Sequence, residues 1–140
     1  MPLPTKLQAL IDDLAFFTDR NERIQALIEI GEEFKNPGVA DLPRNAQTRV
    51  PGCESEVYVV SVPMGEGRHY RFAVDNPQGI SAMALARILD QGLSGVPVDE
   101  VKTVPDDIVY EIFGRELSMG KSLGLTGMVR MVKAEAGKSS

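Results

Sequence analysis

Leu7, Leu10, Ile11, Leu14 and Phe17 recur at the three- and four-residue spacing of one helical face. They predict a first helix running to about Phe17, opened by Thr5-Lys6-Leu7-Gln8, which has the order of a capping box. Asp19, with Glu22 three residues on, predicts the start of a second helix whose apolar stripe is Ile24, Leu27, Ile28, Gly31 and Phe34. Asn36-Pro37-Gly38 stops it, and Gly38 to Asn45 has no periodicity and reads as a connecting loop. The period then shortens. Gln47 to Val50 predicts a short first strand, and Ser55 to Val62 a second, with Val57, Val59 and Ser61 on one face and Tyr58, Val60 and Val62 on the other. Pro63 to Gly67 reads as a hairpin loop and Arg68 to Val74 as the returning strand.

From Gln78 or Gly79 the helical period returns, and Ile80 to Leu89 is apolar nearly all round, so this helix is expected at the centre, packed on the sheet. Val98 to Val104 fits either a helical turn or an extended segment. Asp106-Asp107 predicts a short helix to Phe113, and Leu125, Met128, Val129 and Val132 predict a last helix from about Ser122 to Ala136. Gly124 and Gly127 inside it cost about 1 kcal/mol each against Ala, which a close approach to another backbone or to a partner would explain. Helices before and after a small antiparallel sheet of about three strands make an α+β chain. Its 140 residues suit one domain, 1–140, with a frayed tail over 137–140.

Charge and composition exclude more than they select. The net charge of −5 argues against a nucleic-acid partner. No apolar run reaches the roughly 18 residues that span a bilayer, and no secretory signal opens the chain, so no membrane role is expected. One cysteine allows no internal disulfide, in keeping with a reducing compartment such as the cytoplasm or a plastid stroma.

That cysteine, Cys53, follows Pro51-Gly52, a pair suited to a tight turn, and stands where the turn hands the chain to a strand. A rigid element holds such a position while another molecule can reach it. The plain alternative is a small buried hydrophobe, the usual fate of a lone thiol. A cysteine–histidine enzyme would have to use His69, the chain's one histidine, and no third orienting residue is signalled. One Cys and one His fall short of four zinc ligands, and an iron–sulfur scaffold ordinarily needs several cysteines. Gly120-Lys121-Ser122 ends like a phosphate-binding loop without the upstream glycine.

Val50-Pro51-Gly52-Cys53-Glu54-Ser55-Glu56-Val57-Tyr58 resembles the V-x-G-C-x-S-x-V-W segment of the SufE family, with Tyr58 at the Trp. Arg23 to Phe34 is similar to that family's R-Y-x-x-L-I-E-L-G-x-x-L helix, and Leu117 to Met128 to its L-S-x-x-R-S-x-G-L-x-x-M segment, with Lys121 at the Arg. The resemblance runs from about residue 5 to 136. It implies the fold shared with IscU-type scaffold proteins, and a sulfur acceptor for a SufS-type cysteine desulfurase that relays sulfur to an iron–sulfur scaffold. The chain would then be an activator with no cofactor of its own rather than a stand-alone enzyme, pyridoxal phosphate belonging to the desulfurase. Cys53 would carry the sulfur, and Arg49, Gly52, Ser55, Lys121, Ser122 and Gly124 would face the partner. The alternative is a module that activates a desulfurase or scaffold by docking only.

A sulfur relay suits a single cysteine. The acceptor thiolate becomes a persulfide, and a second thiol nearby would attack it and release sulfide. Glu54 and Glu56 beside Cys53, with a strand instead of a helix after it, predict a resting thiol that is not activated and is tucked against Val50 and Val57.

Overall fold

A computed structural model describes residues 3–53, 55–115 and 117–138. The chain forms helices α1 (Thr5–Ala15) and α2 (Arg20–Glu32), strands β1 (Val57–Met64) and β2 (Gly67–Val74), then helices α3 (Ile80–Leu93), α4 (Val98–Lys102), α5 (Ile108–Phe113) and α6 (Met119–Ala136). Helices stand before and after one antiparallel hairpin, an α+β arrangement.

The helix starts show which local signals act. Asp19 caps α2 by accepting from the Asn21 amide at 3.0 Å. The capping box expected at Thr5 does not form. Pro4 is the N-cap, with no side-chain cap, and Gln8 donates forward to Asp12 at 2.9 Å. Segment 98–104, open on sequence, is the short helix α4 followed by a turn. Helix α6 begins three residues before the expected Ser122, where Ser118 accepts from the Lys121 amide at 3.3 Å.

The sheet is smaller than expected and its hairpin longer. Pairing runs from Val57↔Val74 to Met64↔Gly67, so Pro63 and Met64 belong to β1 and only Gly65-Glu66 forms the loop. The short strand expected over Gln47–Val50 is reduced to one bridge, Arg49↔Tyr58. An Asn45 side-chain turn, accepting from the amides of Gln47 and Thr48, precedes it, and the Pro51-Gly52 turn follows at once. Too little extended chain remains between the two turns for a ladder.

Val57, Val59, Tyr70, Phe72 and Val74 form the inner face of the hairpin and share the main core with the helices. Helix α3 is the centre of that core, with Ala82, Ala84, Leu85, Ala86, Ile88, Leu89 and Leu93 all buried. Its end is tied to β2 through Ser94, whose Oγ accepts from the Tyr70 amide at 3.0 Å and donates to Asp90 at 2.7 Å. On the outer face, Leu42 of the connecting loop packs with Tyr58, Ala73 and Val60. Arg44 lies 5.9 Å from the Tyr58 ring centroid and pairs with Asp75 at 3.0 Å, which holds this loop against the end of the sheet. Of the tail 137–140, Gly137 and Lys138 are described, and Lys138 pairs with Glu135 at 2.5 Å. Ser139 and Ser140 lie outside the described residues.

Candidate functional site

Cys53 sits on the six-residue loop that joins Val50 to Val57. The Val50 amide donates to the Val57 carbonyl and the Val59 amide to the Thr48 carbonyl, both at 2.8 Å, closing the loop at its base. Gly52 takes φ 74°, the region its missing Cβ permits, and Glu56 takes φ 54°, uncommon for a residue with a side chain. The Asp75 and Asn76 amides donate to the carbonyls of Glu56 and Ser55 at 3.1 and 3.2 Å, fastening the loop to the chain that leads into α3.

Helix α6 forms the other wall. A Cβ on Gly124 would stand 3.2 Å from Cys53 Sγ and 3.4 Å from its Cα, and one on Gly127 would meet Val50 Cγ1 at 3.0 Å and the Pro51 carbonyl at 3.2 Å. The two glycines, one turn apart, let the cysteine loop lie directly on the helix. The close approach is therefore to backbone of the same chain.

The turn position suggested a reachable thiol and its sequence neighbours one tucked against Val50 and Val57; the folded chain follows the second and turns it inward. Cys53 is only 6 % exposed and belongs to the same buried cluster as Val50 and Val57. It is not packed solid on every side: a cleft of about 220 Å³ opens beside it. Of the residues anticipated for the site, Cys53, Ser55, Lys121 and Gly124 line this cleft together. Arg49, Gly52 and Ser122 do not. Arg49 is exposed, in the bridge to Tyr58, Gly52 is exposed on the outside of the turn, and Ser122 is buried with its hydroxyl donating to the Met119 carbonyl at 3.0 Å. Of the two carboxylates beside Cys53, Glu56 is exposed and Glu54 lies outside the described residues.

Sequence reasoning missed the third wall. Asn76, Gln78, Gly79, Ser81 and Ala82 also line the cleft. Asn76-Pro77 read as a strand end. The Asn76 side chain in fact accepts from the Gln78 amide at 2.9 Å, forming the turn that brings the start of α3 against Ser55.

His69 has no part in this site. It pairs with Asp90 at 3.4 Å and stands five positions along β2 from Val74, about 17 Å at ~3.3 Å per residue. Among the described residues no group of three or more His, Cys, Asp or Glu could hold a metal ion. No helix among them is long and apolar enough to cross a membrane.

The fold and the site define a class: a small α+β protein with its one cysteine on a short loop, inward-facing, at the edge of a cleft. The family model of the SufE, Fe-S metabolism associated domain matches residues 8–136. The chain belongs to the SufE family, and with it to iron–sulfur metabolism. An uncharacterized SufE-like protein of Rhizobium etli is 30 % identical over 137 residues, covering 93 % of this chain and 88 % of that protein. An uncharacterized SufE-like protein of Rhizobium meliloti is 27 % identical over 143 residues, covering 94 % and 95 %. The chain also matches 35 % of the length of SufE-like protein 1, chloroplastic/mitochondrial, of Arabidopsis thaliana, at 28 % identity over 96 % of this chain. The solution structure of a hypothetical protein from Thermus thermophilus shares the fold, with a TM-score of 0.73 at 21 % identity and 96 % of each chain covered.

Proposed function

We propose that the chain accepts sulfur on Cys53 from a SufS-type cysteine desulfurase and relays it to iron–sulfur cluster assembly. One observation carries this reading: the chain's only cysteine is mounted on a loop, at the edge of a cleft with room beside it. In the transfer, Cys53 attacks the outer sulfur of a persulfide on the donor's cysteine. A bond forms between Cys53 Sγ and that sulfur, and the donor's own S–S bond breaks. The electron pair of the broken bond leaves with the donor thiolate, which takes up the proton given up by the Cys53 thiol. No oxidant or reductant is consumed. A second transfer of the same kind, from the new persulfide to the downstream recipient, restores Cys53.

An inward thiol must be brought out for this reaction. The base of the loop, between Val50 and Val57, provides the fixed end about which the tip reorders when a partner docks. Arg49 and Gly52 on the loop side and Lys121 on α6, all exposed, with Ser55 and Gly124 in the cleft, form the partner-facing surface in this reading, and the buried Ser122 supports α6 from within. Pyridoxal phosphate serves on the desulfurase and none is needed here.

Burial of Cys53 favours a second reading, in which the chain activates its partner by docking alone. Intact mass after incubation with a desulfurase and free cysteine, without reductant, separates the two. A relay adds about 32 Da or its multiples on this chain, one sulfur atom each. Cys53→Ser should keep the fold and the partner affinity, carry no added sulfur and fail to raise alanine production. Stimulation by Cys53→Ser equal to that of the parent would leave docking alone as the function.

A further inference from the structure

We propose that an apolar groove beside the Cys53 cleft seats a short apolar segment of the sulfur-donor protein that bears a flanking carboxylate. The inference deepens the proposed acceptor role and rests on it. The groove, of about 440 Å³, runs between α2 and the starts of α3 and α6, with Ile24, Ile80 and Leu117 among its apolar walls. Its walls are held in place: Arg23 of α2 donates to the carbonyls of Glu111 and Ile112 at the end of α5. Such a preformed apolar site costs little ordering on the receiving side.

Charge tells which segment fits. The charged side chains among the described residues lining the groove are Arg20 and Lys121, and none is acidic, in a chain with 20 acidic and 15 basic residues. Lys121, exposed at the edge of this apolar trough, complements an apolar segment with a carboxylate beside it. Position tells whose segment it is. Ser81 and Lys121 line both the groove and the Cys53 cleft, so an occupant lies next to the sulfur that reacts. Met119 and Leu123, on the same helix α6, are 79 % and 60 % exposed, apolar surface of a size that a macromolecule rather than a small ligand would cover. A donor's persulfide arrives on a macromolecule, and that macromolecule needs this wider footing.

The test uses the full chain and a cysteine desulfurase that persulfidates it in the intact-mass assay. Ile24 is 40 % exposed, so Ile24→Glu puts a charge into the groove without burying it. Ile24→Glu should weaken the desulfurase Kd by ~10-fold or more, and Ile24→Leu should restore it. Persulfidation of Cys53 by inorganic polysulfide, which needs no docking, should match the parent in both. With p-benzoylphenylalanine in place of Ile24, irradiation should cross-link a desulfurase peptide that has Asp or Glu within a few residues of the apolar contact. An unchanged Kd in Ile24→Glu, a cross-link to a second copy of this chain, or a cross-linked peptide without an acidic residue overturns the groove assignment and leaves the acceptor role standing. If no desulfurase persulfidates even the parent chain, the acceptor role falls and the groove assignment with it.

Discussion

Gly124 sets how near Cys53 can lie to α6. Replacing it with Ala sets two effects against each other. The helix gains about 1 kcal/mol of propensity. The new methyl group stands 3.2 Å from Cys53 Sγ, close enough that the loop must shift by a few tenths of an ångström. The loop is the softer partner, because Gly52 and the left-handed Glu56 already place it at the edge of accessible backbone geometry. Gly124→Ala should therefore leave stability within about 1 kcal/mol of the parent and speed alkylation of Cys53 by iodoacetamide several-fold. An unchanged alkylation rate would mean that α6 does not hold the thiol in. Gly127 faces Val50 and the Pro51 carbonyl instead, at the better-fixed base of the loop, and this position governs where the loop starts.

At the scale of elements, the far end of α6 is clamped to the hairpin by a buried polar chain. Arg68 Nε donates to Ser61 Oγ at 2.7 Å, and Ser61 Oγ donates to Glu135 Oε1 at 2.8 Å. Arg68 and Glu135 are 7 % and 4 % exposed, so the chain of bonds is shielded from water. Tyr70 lies on the same inner face, fully buried, and its hydroxyl has no hydrogen-bond partner among the described residues. Burial pushes its pKa up to about 12, with Arg68 pulling it down and Glu135 adding to the rise. An unsatisfied hydroxyl in a core is a cost, so Tyr70→Phe should be neutral or stabilising by up to about 1 kcal/mol. Urea unfolding checks this, and a loss of more than about 1 kcal/mol, the size of a typical hydrogen bond, would show that the hydroxyl is satisfied in solution.

Across the whole molecule, two aspartates join segments distant in sequence. Asp75 accepts from Arg44 and Asn36, tying the connecting loop to the end of β2, and Asp106 accepts from Lys133 and Arg130, tying the start of α5 to α6. The Arg44 hydrogen bond, then that of Asn36, holds the Asp75 carboxyl below its ordinary value of 3.8. The Lys133 and Arg130 bonds do the same for Asp106. A carboxyl depressed in the folded state contributes stability that is present above its unfolded pKa and lost as pH falls through the folded value. Both groups are partly exposed, so the contribution is modest. The urea midpoint should fall as pH drops below about 4, and Asp75→Asn should flatten part of that fall. An identical acid slope in Asp75→Asn would remove the Arg44–Asp75 pair from the stability of the outer loop.

Local pattern was enough to determine the helices with a clear stripe and the hairpin. Spacing of three and four, or of two, reports neighbours on one face of one element, and Leu7 to Leu14, Val57 to Val62 and Ile80 to Leu89 carry it. The Pro51-Gly52 turn beneath the cysteine and the close approach demanded by Gly124 and Gly127 were legible for the same reason, since each is a property of one or two residues. Which backbone approaches those glycines was not. The cleft gathers Cys53 and Ser55 with Asn76, Ser81 and Gly124, and no periodicity links segments so far apart. The tucked Cys53 was anticipated from its neighbours in sequence, but the wall that holds it was not: a turn can present its tip residue to solvent or to the core, and here packing on α6 decides. The loss of a third strand is tertiary in the same sense, because Gln47 to Val50 has the composition of a strand but is cut to one bridge by the turns on either side of it.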